Sequence, residues 1–381
     1  MGMTACSGDS SDDGPPATPA VSEVRVEWRE VALPEAPRGR RVAVRDAAWC
    51  GDRWVVVGGL LGPGGASRPA AWTSPDGRSW GEVRFPTSTY WGGRAVLATV
   101  ACRGTVPVAV GAMSGGAHGN PRVVTFRPEG RGVWVDVAAP FEQYGGPSAV
   151  NVGPVTSGDD GWLITGNRRT GPAAWVAVSP RRFHLVERAP GLVGDGSDAP
   201  LARGAVWDGS GWTIVGGSTG EDALDRVPVA WRSTNGRDWV REPVPDTAEY
   251  DDLYRAVLLE GSVVAVGVRG PGFGSWVRDG AGWHRAGAFG GADPEAPGAP
   301  AVTSATSGPG GVLTTVTDGA VSELWGSVDG TTWSRVELPA APAGDGALAV
   351  ASSDAAVLLV ADGGDGSQAW IAHWPDLEGA G

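Results

Sequence analysis

The chain has 381 residues, 41% of them hydrophobic, with a formal net charge of −13 and a pI near 4.8. Phosphate binding needs a basic surface, so this balance excludes nucleic acid as a partner and also excludes docking on an anionic membrane surface. All 30 basic residues are arginine, which excludes Schiff-base and lysine-base chemistry.

At the amino end, Met3-Thr4-Ala5-Cys6 resembles a bacterial lipobox, in which a small residue precedes a lipid-modified cysteine. Ser7 to Pro19 are polar and rich in Ser, Asp, Gly and Pro, a composition that cannot bury apolar surface. Only five residues precede Cys6, fewer than the charged and apolar regions of a signal peptide require. Residues 1–21 therefore read as a truncated lipoprotein signal and a disordered tether. No later segment approaches the roughly 18 apolar residues of a membrane span, so membrane contact is expected only through a lipid on Cys6.

Val24 to Leu33 comes next, with Val24, Val26 and Trp28 alternating against charged neighbours as in a half-buried strand. From Arg41 on, short β-branched runs bounded by glycine follow one another, for example Trp54 to Gly58 and Val263 to Gly267. The 62 glycines and 30 prolines fall between such runs as turns. No stretch has sustained helical periodicity.

A tryptophan ladder runs through these strands. Ser74-Pro75-Asp76-Gly77-Arg78-Ser79-Trp80 returns as Ser233-Thr234-Asn235-Gly236-Arg237-Asp238-Trp239 and as Ser327-Val328-Asp329-Gly330-Thr331-Thr332-Trp333. Another tryptophan precedes each closing one by eight residues: Trp72, Trp231 and Trp325. A period of about 50 residues marks a radial repeat. Each unit reads as four strands. The second ends in glycine, the third carries Trp72, Trp175, Trp231, Trp276, Trp325 or Trp370, and Val124 takes that place in the second unit. The fourth carries Trp80, Trp134, Phe183, Trp239, Trp283 or Trp333. After Trp370 the fourth strand is missing, and the lone strand bearing Trp28 supplies it. The expected fold is an all-β, seven-bladed propeller over residues 22–374, four antiparallel strands per blade, its last blade closed by the N-terminal strand, with 375–381 a disordered tail.

Cys50 and Cys102 sit in similar contexts 52 residues apart, one repeat. Equivalent points on adjacent repeats lie side by side, so the pair reads as a disulfide, which an exported chain permits.

The repeated motif resembles the Asp box of sialidase-like propellers, the bacterial neuraminidase repeat, in a shortened form. Kelch propellers are the second resemblance, through the paired glycines Gly58-Gly59 and Gly216-Gly217. Ser74, Asp76, Trp80, Ser233, Asn235, Trp239, Ser327, Asp329 and Trp333 are the Asp-box positions. The resemblance implies that they are structural, on the face opposite the usual ligand site. The arginine-rich composition matches a GC-rich, actinobacterium-like source.

Function is sought in the loops of the other face, which carry Tyr90, Trp91, Tyr144 and Tyr250, with Asp251 and Tyr254 beside them and Arg94 and Arg255 opening inner strands. Aromatic platforms with arginines and carboxylates suit a sugar or a peptide. The sialidase resemblance implies an arginine cluster over a Tyr–carboxylate pair. Tyr254-Arg255-Ala256-Val257 matches two of the four residues of the Tyr/Phe-Arg-Ile-Pro motif, and in the fifth blade rather than the first. Gly216-Gly217-Ser218-Thr219-Gly220 fits Gly-x-Ser-x-Gly without the helix that motif needs. His118, His184, His284 and His373 are scattered without ligand spacing. No catalytic residue, metal or cofactor is assigned. The expectation is a monomeric, exported, lipid-anchored binding or scaffold module at the cell surface, with a glycan or a peptide or protein as ligand and a sialidase-like hydrolase as the alternative.

Overall fold

The computed structural model describes residues 22–377 apart from 116–119, 195, 221–224, 294, 341–345 and 364–365. Cys6 and His118 lie outside the described residues. The chain is a seven-bladed β-propeller with four antiparallel strands per blade. The innermost strands are Arg41–Trp49, Val96–Arg103, Ala149–Gly158, Ala199–Trp207, Asp251–Leu259, Ala301–Gly308 and Ala347–Ser352, for blades 1 to 7. They neighbour one another in that order around a central channel, and the last returns to the first.

Ring closure follows the Trp28 expectation and adds to it. Arg29–Glu30 forms the outer strand of blade 7, with Glu30 opposite Trp370. Glu23–Val24 does something else: it pairs in parallel with Ser334–Val336 as a fifth strand on blade 6. The amino-terminal segment thus ties two blades together, and Trp28 spans the seam by donating its indole N–H to Glu337 O at 2.8 Å.

The strand register corrects one reading of the ladder. In each blade the outer-strand aromatic stands two residues before the residue that pairs with the third-strand aromatic. Glu82 pairs with Trp72, Arg241 with Trp231, Arg335 with Trp325 and Glu30 with Trp370. In blade 2 the pair is Asp136 and Phe126, so Phe126 holds the third-strand place rather than Val124. Phe126 is fully buried and lies eight residues before Trp134, so the aromatic rule holds there with a smaller ring.

The outer aromatics pack backwards. Trp134 shares a core cluster with Val55 and Val57 of blade 1, Trp239 with Leu163 and Ala174 of blade 3, and Trp333 with Val264 of blade 5, where it also stacks on Phe289. The turn between third and outer strand is stapled: Asp76 Oδ1 accepts from Arg78 N at 2.8 Å and Ser79 N at 2.9 Å, and Asn235 and Asp329 repeat the pattern. Gly77, Gly236 and Gly330 hold φ of 65°, 71° and 77°. There they lie against Ile371, Val176 and Val264 of the preceding blade, so a side chain would be strained and obstructed at once.

A disulfide joins Cys50 and Cys102 across blades 1 and 2, with the Cα atoms 5.1 Å apart.

Removing residues 22–34 takes the buried Val24 and Val31 and the seam-spanning Trp28 out of the core. At roughly 2 kcal/mol for each such side chain, the loss is about 6 kcal/mol, comparable to the whole stability of an ordinary domain. The deletion should fold poorly or melt well below the full chain, and Trp28→Ala should lower unfolding stability by about 2 kcal/mol. An unchanged melting temperature for the deletion would refute the role assigned to this strand.

Candidate functional site

Because strands alternate in direction, the stapled hairpins and the loops between first and second strands share one face. The loops between blades and those between second and third strands share the other, where the channel opens among the candidate residues.

Those residues form two groups on different blades. The first lies on the loop from blade 1 to blade 2. Tyr90 and Trp91 are 59% and 39% exposed, with ring centroids 4.9 Å apart. The guanidinium of Arg94 sits 3.9 Å over the Tyr90 ring. Two further residues complete the patch. Arg122 lies between Trp91 and Phe141, 5.3 Å and 4.3 Å from their rings, and Phe141 is 53% exposed. Tyr144, one turn beyond Phe141, faces the other way: it is buried against Trp175 and offers nothing to a ligand.

The loop is held from beneath by Asp136, the outer-strand partner of Phe126. Its carboxylate accepts four bonds: from Ser88 N at 2.6 Å, Ser88 Oγ at 3.1 Å, Thr89 N at 2.8 Å and Thr89 Oγ1 at 2.5 Å. Burial opposes its ionisation, but these bonds outweigh it and hold the carboxyl below the ordinary range. Gly92 lies where a Cβ would meet Asp136 Oδ2 at 2.5 Å, so the loop can settle on the carboxylate only with glycine there. The exposed rings are therefore pre-positioned by a buried anchor.

The second group lines the seam of blades 4 and 5. Asp252 is fully buried at the start of an inner strand. It pairs with Arg203 at 2.9 Å and Arg226 at 3.5 Å and accepts from Tyr250 Oη at 3.3 Å. Arg203 also lies 4.7 Å over the Tyr254 ring. Asp251 is buried and accepts from Thr247 N at 2.6 Å. Gly217 leaves the space: a Cβ there would meet Arg226 and Asp252 at 2.5 Å.

These contacts bear on the hydrolase alternative. Arg203 and Arg226 converge on the protein's own Asp252, and Arg255 turns away to donate to Thr303 O at 2.8 Å. A Tyr–carboxylate pair exists in Tyr250 and Asp252. Burial first, and the Asp252 charge second, push the Tyr250 phenol up to about 12, the opposite of what an activated nucleophile needs. Ser218 is buried in a strand and donates to Asp198 Oδ2 at 2.8 Å, without the turn a hydrolase nucleophile requires.

The channel has a volume of about 1110 Å³. Six of its seven walls carry a register shift, at Val44/Asp46, Leu97/Thr99, Val152/Val155, Ala202/Gly204, Leu253/Arg255 and Val302/Ser304. Such bulges re-aim side chains, and here they bring Arg45, Asp46, Arg203, Tyr254, Arg255 and Thr303 to the channel. In blades 1 to 5 the residue opposite the shift is glycine: Gly58, Gly111, Gly166, Gly216 and Gly267. A Cβ at any of them would run into an inner-strand carbonyl. Side chains from the preceding blade bond inner-strand N–H groups. Asp46 accepts from Val100 N at 2.9 Å, Asn167 from Ala202 N at 2.8 Å and Ser367 from Val44 N at 3.0 Å.

Asp46 touches channel solvent but lies deep in the ring. Burial outweighs its hydrogen bonds and pushes its carboxyl up to about 6 from the usual 3.8. A folded-state pKa above the unfolded one means that ionisation opposes folding. Asp46 therefore costs nothing below pH 4, costs progressively more between pH 4 and 6, and costs its full amount above. Asp46→Asn, which keeps an acceptor for one N–H, should gain roughly 1–3 kcal/mol on the native chain as pH rises from 4 to 7. Denaturant melts of both proteins across that range measure the gap, and a constant gap would refute the shift.

No family model matches the chain, and no curated protein matches it. Similar solved structures include a protein from Lactobacillus plantarum, 8% identical with a TM-score of 0.53 over 87% of this chain and 94% of that one. U3-55K is 11% identical, TM-score 0.52, covering 91% and 98%. A Trypanosoma rangeli sialidase in complex with the inhibitor DANA is 10% identical, TM-score 0.46, covering 92% and 58%. The first two likenesses show the fold alone.

Proposed function

We propose that this chain is an exported propeller that acts as a binding module, with the Tyr90–Trp91–Phe141 platform as its contact surface for a glycan or a peptide. The observation that carries the reading is that three exposed aromatic rings, two of them on a loop clamped by Asp136, are interleaved with Arg94 and Arg122. Exposed aromatics cost solvation, and a rigid loop loses less entropy on binding, so pre-positioned rings favour recognition over packing. The arginines add donors for hydroxyls, carbonyls or carboxylates at the ring edges. On this reading the stapled hairpins are a shortened Asp box and serve the ring rather than the ligand. The chain works as a monomer at the outer face of the cytoplasmic membrane, anchored through a lipid on Cys6.

Glycan and peptide arrays probed with the purified propeller provide the test. Trp91→Ala should weaken any bound spot at least about tenfold, the usual effect of losing a central aromatic. Asp136→Ala should weaken it as well, with Tyr90 and Trp91 still present. Binding that survives both substitutions would overturn the platform. Palmitate labelling of the full-length gene product in cells, compared with Cys6→Ser, checks the anchor: label is expected only on the native chain, and equal labelling discards the lipid.

A further inference from the structure

The channel holds charge that the protein does not neutralise. Two guanidiniums, Arg203 and Arg226, gather at the seam of blades 4 and 5, where one carboxylate, Asp252, serves both. Arg203 also lines the channel, as does Arg255, which turns to the blade 6 side. Arg255 donates only to neutral carbonyls: Nε and Nη2 to Thr303 O at 3.2 and 2.8 Å, and Nη1 to Tyr254 O at 3.0 Å. Among the described residues no carboxylate forms an ion pair with it. Arg203 keeps a buried Nε without a partner. By contrast, Arg45, the guanidinium on the blade 1 wall, is neutralised by Asp362.

The remaining carboxylate of the channel, Asp46, is on blade 1, as far from blade 5 as a ring of seven allows. Its charge acts on Arg255 through space, and its oxygens are already engaged by Val100 N and Ala47 N. A desolvated guanidinium is costly unless an anion meets it, and natural interiors pair such charges. Here the pairing group is missing on the side that faces a cavity of about 1110 Å³. The bulges at Arg203 and Leu253/Arg255 hold both cations toward that space.

We infer that the central channel is a binding site for a small organic carboxylate, met by Arg255 and Arg203 beside the Tyr254 ring at the level of the bulges. Guanidiniums take carboxylates through paired charge-assisted bonds, and the low-dielectric walls of a closed ring concentrate their field on an anion. The site is separate from the Tyr90–Trp91 platform and stands or falls without it.

The test is thermal melting of the full chain at constant ionic strength, titrated with acetate, glucuronate and N-acetylalanine, with phosphate and chloride in parallel. Carboxylates should raise the melting temperature in a saturable manner, and Arg255→Gln should weaken that response at least about tenfold. The same variant without ligand should melt no lower than the native chain, because it removes an uncompensated cation. Three results would overturn the inference: no response to any carboxylate, an equal response to chloride or phosphate, or ligand-free Arg255→Gln melting far below native. The last would make the bonds to Thr303 O structural. Arg78→Gln, on the opposite face, serves as the control and should change neither reading.

Discussion

The ring depends on one backward contact. Each blade lays an aromatic side chain, placed two residues before its outer-strand pairing, against the blade that precedes it in the ring. A twisted four-stranded sheet has two apolar faces and cannot bury both alone. The outer aromatic solves this by filling the wedge that opens between blades with distance from the axis. Trp28 shows how strict the requirement is. Among the described residues blade 7 has no outer strand downstream, and the segment from Glu23 to Glu30 supplies both the strand and the aromatic. Closure is therefore built from both ends of the sequence, a long-range contact that carries a large loop-closure entropy.

Near the axis the problem reverses, because the strands crowd together. The bulges and their facing glycines answer this. An extra residue in the inner strand bends it, and the absence of a Cβ on the second strand lets the two backbones meet. Two consequences follow from the same geometry. Inner-strand N–H groups are bonded by side chains of the preceding blade, such as Asp46 and Asn167, so that adjacent blades are joined by directed bonds as well as by packing. Polar side chains are also brought to the axis. In a propeller of this kind the device that makes the ring fit also furnishes its channel, which explains why Arg203, Tyr254 and Arg255 occupy bulged positions.

Much of this was legible in the residues, at the level of elements and count. The motif period, the glycine-ended second strands and the isolated Trp28 strand suffice for seven blades and their closure, because turn chemistry and aromatic spacing are local. Phe126 was passed over because the ladder was followed as tryptophan; the spacing of eight to Trp134 marks it. The glycines of Gly58-Gly59 and Gly216-Gly217 looked like a family signature, and only the register revealed that the first of each pair faces the bulge. The candidate site was the least legible part. Tyr144 and Tyr90 both belong to inter-blade loops, yet one is buried and the other 59% exposed. Nothing local separates them. Arg122 and Asp136 were invisible for the same reason: their partners are distant in sequence and meet only in the folded ring.

The charge of the chain is distributed against its net sign. With −13 overall, the surface favours solubility and repels anions at a distance. Guanidiniums meet exposed aromatic rings at the platform, and Arg203 and Arg255 line the channel. Long-range repulsion is screened beyond about 8 Å in physiological salt, whereas a desolvated guanidinium acts strongly at contact. Such a molecule does not draw anionic partners by steering and selects them at short range instead. Recognition then rests on geometry: on Asp136 for the platform and on the bulges for the channel. Both are buried features of the ring, so the same packing that sets stability also sets what either site can hold.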